Sequence, residues 1–424
     1  MTKSGKVHKY ICRNCGRVFC GRTNTPFTFI EYPAACCGLR RRNLTMKKIG
    51  YIPVTMVIFL MFTIGISSVN AQETAWEIGP RILPVSVDVS DVMRESLLET
   101  PTPDAEAAKS LVFNTTEQWE EFIKDRDAPS AANARKLAEV LSVTVEPYTI
   151  AGVNVYYVTP PEIAPEHKNQ LFVHLHGGAY VFNGGEAGTT EAVLLASRLK
   201  MPVISIDYRM PPKFPAPAAM DDVVAVWKQL LEDRSATSMA MGGTSAGGGL
   251  TMTSVQRFKE LGLPLPGALF LGTPASDVNK VGDSRYINEG IDRNLVAWEG
   301  IPYEALKLYA SNYDLKNPYV SPIYGNFTHF PPTYLISGTR DLLLSDTVRV
   351  HRALQRAGVE VDLNIYEGQS HADYLVVLNA PESYEAFAEL NAFLLEHLEI
   401  PLVPFPTPMA ETLKDNVISE YALA

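Results

Sequence analysis

Beyond Cys37 the sequence has no cysteine: all five (Cys12, Cys15, Cys20, Cys36 and Cys37) fall within the first 37 of 424 residues. The rest of the chain can therefore form no disulfide and use no thiol, which suits an oxidising compartment because nothing can mispair there. Basic charge is scarce over the same stretch. Residues 1–71 hold eleven Lys or Arg and one acidic residue, Glu31; subtracting these from totals of 37 and 47 leaves 26 basic and 46 acidic, a net of −20, for residues 72–424. So acidic a body excludes nucleic acid and anionic lipid as partners. Internal repeats and low-complexity blocks are absent too, and 46% hydrophobic with 20% charged residues is ordinary globular composition, enough for one large or two medium domains.

Long apolar runs are missing except for one. Ile49 to Ile66 follows the basic Met46-Lys47-Lys48 and precedes Val69-Asn70-Ala71, a small-residue cleavage pattern before Gln72. Together these predict a secretory signal peptide over residues 46–71, with an inner-membrane anchor as the alternative if residues 49–66 stay uncleaved. In both cases Arg40, Arg41, Arg42, Lys47 and Lys48 stay on the cytoplasmic side and the acidic part is exported, periplasmic or secreted. Residues 1–45 are then expected to be a disordered upstream extension. Cys12-x-x-Cys15 with the adjacent pair Cys36-Cys37 lacks zinc-finger spacing, and no metal site is expected there.

Residues 72–150 read as a loop followed by helices. Helical spacing is clear in Trp119 to Ile123 and in Ala131 to Leu141, with Pro101, Pro103 and Pro129 as breaks. From Val145 short apolar runs take over: Val153–Val158, Leu171–His176, Val203–Asp207, Ser238–Gly242, Ala268–Leu271, Thr333–Ser337 and Val361–Tyr366. Between them lie helical patterns at Glu191–Leu199, Met220–Glu232, Leu250–Leu261, Thr347–Ala357 and Ser383–Leu398. This alternation predicts an α/β fold with a mostly parallel sheet covered on both faces, its functional loops at the strand C-termini. About sixty residues, roughly 273–330, interrupt the rhythm and are expected, with residues 72–150, to form a helical cap over a catalytic domain of residues 151–400. The tail from Pro401 reads as extended.

One of those strands runs into Gly243-Thr244-Ser245-Ala246-Gly247, followed by a helix. A serine on a strained strand-to-helix turn is a nucleophile elbow, and the helix N-terminus aims free N–H groups at any oxyanion forming beside it. The strand ending in His176-Gly177-Gly178 leaves main-chain N–H groups uncovered. Donors from Gly177, Gly178 and Ala246 would make an oxyanion hole. A serine needs a base, itself oriented by an acid. Four histidines follow Ser245. His351 and His397 lie within amphipathic helices and His329 precedes a strand, whereas His371 follows the last strand. Asp341, after the preceding strand, is the matching acid; Asp346 reads instead as a helix N-cap.

These segments, with Asp207-Tyr208-Arg209, Pro211, Phe214-Pro215-Ala216, Ser321-Pro322, Asp341-Leu342-Leu343 and Gly368-Gln369-Ser370-His371, resemble the hormone-sensitive-lipase-like esterases over about residues 145–400, closest to the bacterial branch whose elbow reads G-T-S-A-G. The resemblance implies an α/β-hydrolase fold with a helical cap, no metal or organic cofactor, and hydrolysis of a small-molecule ester of short to medium acyl chain. Relatives that act on lactones or acetyl esters extend that range, and a homodimer stays open. Two positions depart from the pattern: Ala179 stands where a third glycine is usual, and Leu342 where a proline follows the aspartate. The rivals are an amidase or peptidase on the same triad and a non-catalytic binding protein, as among the similar gibberellin receptors, which have lost the triad histidine. The histidine here is in place, and no propeller-like N-terminal domain is evident in the sequence.

Overall fold

The computed structural model describes residues 7–11, 18–22, 79 and 82–400. The chain divides into two units, residues 1–81 and 82–424. Within the first, β1 (Val7–Ile11) pairs with β2 (Val18–Arg22) as an antiparallel hairpin inside the stretch expected to be disordered. The expected signal segment, the tail from 401, and Cys12, Cys15, Cys36 and Cys37 lie outside the described residues. Among the described residues no helix is long and apolar enough to cross a membrane.

The second unit is built on eight strands: β3 (Thr144–Ile150), β4 (Val153–Thr159), β5 (Leu171–Leu175), β6 (Val203–Ile206), β7 (Met239–Thr244), β8 (Ala268–Gly272), β9 (Thr333–Gly338) and β10 (Val361–Tyr366). Their order is β10-β9-β8-β7-β5-β6-β4-β3, parallel except where β4 runs antiparallel to β3 and β6. β3 was not among the expected strands: its burial is irregular, and Pro147 within it is tolerated because it lies at the sheet edge.

In the interior strands, successive side chains point to opposite faces. Leu171, Val173, Leu175, Met239, Met241, Leu269 and Leu271 enter one core; Phe172, Ala240, Ala268 and Phe270 enter the other. Burial of four to six successive strand residues on both faces is why these runs read as continuous apolar stretches and not as alternation.

Eleven helices are described. The N-terminal segment carries α1 (Asp91–Glu99), α2 (Ala105–Lys109) and α3 (Thr116–Leu141). The crossovers are α4 (Thr189–Leu199), α5 (Ala218–Asp233) and α6 (Ala246–Glu260). After them come α7 (Ser284–Ile287) and α8 (Ile301–Ala310) in the segment between β8 and β9, then α9 (Leu344–Arg356), α10 (Asp373–Val376) and α11 (Pro381–His397). α4 and α11 bury their apolar stripes in the core that holds Phe172, whereas α5, α6 and α9 bury theirs in the other.

Pro129 does not break the helical segment as its sequence suggests; α3 runs through it. The helix starts at a reciprocal capping box between Thr115 and Gln118, and buried Trp119, Ala134 and Ala138 hold it on both sides of the proline. Tertiary packing outweighs the lost helical bond.

The sheet order places the site. After β5 the chain returns to β6, which lies between β5 and the earlier β4, and then crosses to β7 on the other side of β5. In an open α/β sheet this reversal opens a crevice at the strand C-termini. β5 and β7 end there, in His176-Gly177-Gly178 and in Ser245.

Candidate active site

Ser245 sits between β7 and α6 with φ 61° and ψ −119°, in the left-handed region that a serine rarely occupies. The turn is held at both ends of the residue. Its N–H donates to Gly272 O at 2.8 Å, and its carbonyl accepts from Ala275 N–H at 2.9 Å and Gly249 N–H at 3.1 Å. A Cβ on Gly243 or Gly247 would collide with the Leu175 carbonyl, so both flanking glycines are required by the approach of β5. α6 begins at Ala246, which leaves the first N–H groups of the helix without helical partners beside the serine.

The glycine turn after β5 lies directly against this elbow: a Cβ on Gly177 would stand 3.5 Å from Ser245 Cβ and 2.9 Å from Thr244 O. In a planar trans peptide the carbonyl and the following N–H point in opposite directions. Tyr208 Oη donates to His176 O at 2.7 Å, which fixes the orientation of the Gly177 N–H. Gly177 O accepts from His176 Nδ1 at 2.8 Å and Asn183 Nδ2 at 3.2 Å, which does the same for Gly178 N–H. Gly178 itself has φ +109°, and a Cβ there would meet Phe182 O at 2.5 Å. Ala179, where a third glycine is usual, has a φ of 51°, in the left-handed region that favours glycine. His176 stacks on Tyr208 with ring centres 4.1 Å apart. Burial drives its pKa down to about 3, so the imidazole stays neutral and serves as a hydrogen-bond donor.

The candidate acid and base, Asp341 and His371, follow neighbouring strands. β9 and β10 pair in register as far as Gly338 and Tyr366, so their C-terminal loops leave the sheet side by side. His371 Nδ1 lies 3.1 Å from Asp341 Oδ1. Asp341 is fully buried; its Oδ1 also accepts Leu343 N–H at 2.7 Å and its Oδ2 accepts the Ser337 hydroxyl at 2.7 Å. Burial alone would lower the His371 pKa, but the Asp341 carboxylate and its hydrogen bond, with Asp292 and Asp373 adding to them, raise it above the usual 6.5. Among the described residues the Ser245 hydroxyl makes no hydrogen bond, so the side-chain contact seen among these three candidates is that of His371 with Asp341. A serine-to-base hydrogen bond often tightens only when substrate is present.

Of the other histidines, His329 is exposed. His397 Nε2 lies 4.0 Å from Glu360 at the surface. Asp346 is not the helix N-cap that its sequence position suggests. It lies within the first turn of α9, fully buried, and accepts from Ser276 N–H at 2.9 Å and from the buried Arg285 guanidinium at 2.8 Å. A distant cation, invisible in local sequence, determines its role.

Beneath the elbow is a set of buried polar groups that sequence reading did not single out. Glu191 of α4 accepts Thr244 N–H at 3.2 Å, takes the Thr244 hydroxyl, and lies 3.1 Å from His174 Nε2. The Thr244 hydroxyl also meets Tyr374 Oη at 2.6 Å. The signal available was a glutamate in an otherwise apolar helix stripe, which the rest of the helix pattern hides.

A family model described as the alpha/beta hydrolase fold matches residues 172–375. Among solved structures, the crystal structure of an esterase E25 is similar, with 54% sequence identity, a TM-score of 0.75, and coverage of 77% of this chain and 99% of that one. An esterase from the bacterial hormone-sensitive lipase family shares 25% identity at a TM-score of 0.60, covering 70% and 96%. The ethyl acetate hydrolase of Pseudomonas putida is 27% identical over 272 residues, which is 61% of this chain and 82% of that protein.

Proposed function

Since the chain belongs to the α/β-hydrolase fold family and is an esterase of the hormone-sensitive-lipase type, we propose that it cleaves carboxylic esters of short to medium acyl chain through an acyl-enzyme on Ser245. Lactones, as cyclic esters presenting the same carbonyl, fall within its range. The observation that carries this reading is the Asp341–His371 pair, 3.1 Å apart at the strand C-termini, the end of the sheet from which the strained Ser245 turn also projects. The similarity to an ethyl acetate hydrolase supports a small acyl group.

In the first half-reaction His371 takes the Ser245 proton while Asp341 keeps the imidazole in the tautomer with Nδ1 protonated, and the serine oxygen attacks the ester carbonyl. The N–H groups of Gly177, Gly178 and Ala246 receive the oxyanion, each such donor contributing about 3 kcal/mol to the transition state. The alcohol leaves with the proton held by His371, and water repeats the sequence on the acyl-enzyme. No step calls for a cofactor. Residues 46–71 direct the acidic catalytic part out of the cytoplasm.

Replacing Ser245 by Ala tests the assignment. Turnover of p-nitrophenyl acetate should fall below about a thousandth of wild type, and labelling by a fluorophosphonate should vanish. A variant that keeps more activity than that would refute Ser245 as the nucleophile. An anilide turned over as fast as the matching ester would point to an amidase.

A further inference from the structure

The loop that bears Asp341 is held by a second carboxylate to which the chemistry above gives no part. Asp292, fully buried between α7 and α8, accepts Leu342 N–H at 2.8 Å on Oδ2, and on Oδ1 accepts Asn294 N–H at 2.9 Å and Leu295 N–H at 3.1 Å. Its neighbours bind the same two loops. Asn288 Nδ2 donates to Asp341 O at 2.8 Å and Thr339 O at 3.2 Å, while Asn294 Nδ2 donates to His371 O at 2.6 Å and Asp373 Oδ1 at 2.9 Å. Arg293 N–H donates to Ser370 Oγ at 3.1 Å, and its guanidinium pairs with Asp373 at 2.9 Å. One short segment, 288–295, therefore ties the acid loop to the base loop.

Burying a carboxylate is costly unless a cation or several donors compensate it. Asp373 has Arg293; Asp292, among the described residues, has only three main-chain N–H groups. Burial raises its pKa, the Asp341 carboxylate raises it further, and His371 pulls it back, to a value of about 6. The groups that bear on His371 are thus Asp341 from the loop after β9, Asp292 from the 288–295 segment and Asp373 from its own loop, the last offset by Arg293. The bond to the acid loop also requires an N–H at position 342, where leucine replaces the proline that the resemblance leads one to expect.

We propose that Asp292 is a positioning residue for the Asp341–His371 pair: it fixes the acid loop through the Leu342 N–H and sets a second negative charge in the field of His371. The inference rests on the triad reading above. A residue with this role acts on the chemical step and on proton affinity while leaving substrate binding alone.

Asp292→Asn removes the charge, and Leu342→Pro removes the N–H while keeping the carboxylate. Both, with the double variant and Ser245→Ala, would be assayed in the full chain on p-nitrophenyl acetate from pH 5 to 9. Asp292→Asn should lower kcat about tenfold with KM within about twofold, and move the acid limb of kcat/KM down by about half a pH unit. Leu342→Pro should lower kcat and move the limb the same way, because Asp292 deprived of a donor holds its proton more tightly. The double variant should be no worse than the more impaired single one. An acid limb in Asp292→Asn that coincides with wild type overturns the proposal even if kcat falls, since a merely structural role would do that. Should Asp292→Asn fail to fold, Leu342→Pro decides by the same criterion. An active Ser245→Ala sinks the triad reading; an inactive Ser245→Ala beside an unmoved Asp292→Asn limb sinks only this inference.

Discussion

Asp127, midway along α3, accepts the main-chain N–H of Asn183 at 2.8 Å, and Asn183 in turn donates its side-chain amide to the Gly177 carbonyl at 3.2 Å. A second Asp127 oxygen takes Gly184 N–H at 3.1 Å, and Trp119 and Phe122 of the same helix pack on Phe182. The N-terminal helix is thus fastened to the turn that carries the proposed oxyanion donors. Asp127→Ala should leave two N–H groups without their acceptor and loosen Gly178. The expected loss in kcat is about tenfold, with the affinity for a transition-state-like boronate falling more than the affinity for substrate. Equal losses for boronate and substrate would show that the helix does not act through the oxyanion hole.

The pH profile of kcat/KM follows from His371. The base must be neutral to accept the serine proton, and its pKa is raised above 6.5 because Asp341 outweighs the effect of burial. Activity should fall about tenfold per pH unit on the acid side, inflecting above 6.5 and not below it. His176, neutral down to about pH 3, adds nothing to that limb. An inflection at or below pH 6 in the wild-type profile would contradict the Asp341–His371 coupling.

Stability should depend strongly on the pair between Arg285 and Asp346, both with side chains 0% exposed. Asp346→Ala strands a buried guanidinium, and about 3–5 kcal/mol of unfolding free energy should be lost in urea titration. A double change to apolar residues of similar volume should recover only part of it, because the buried Ser276 and Asp277 N–H groups also lose their acceptor, while a single variant within about 1 kcal/mol of wild type would mean water reaches Arg285.

How far the sequence carries is visible in these groups. The positions of Ser245, Asp341 and His371 at the ends of β7, β9 and β10 were legible because each follows a strand whose apolar run is unmistakable, and because glycines mark the turns beside them. The parallel sheet was legible for the same reason. The edge strand β3 was not, since half-exposed residues and Pro147 blur its pattern. Nor were Asp127, Glu191 and Asp292. Each is an acidic side chain with at least one partner fifty or more residues away, and no local spacing encodes such a pairing. Asp346 shows the converse error, a short-range capping rule overruled by Arg285 sixty-one residues away.

The level ends of β9 and β10, and of β7 and β8, have a consequence for how such a chain can diversify. Every atom that would handle protons or negative charge leaves the sheet from strand tips fixed by main-chain ladders. The excursion between β8 and β9 is anchored at the buried Arg285–Asp346 pair and again where residues 288–295 return to those tips. Its surface away from those anchors can be rewritten, so new acyl or alcohol preferences can arise while the residues at the strand tips stay where they are.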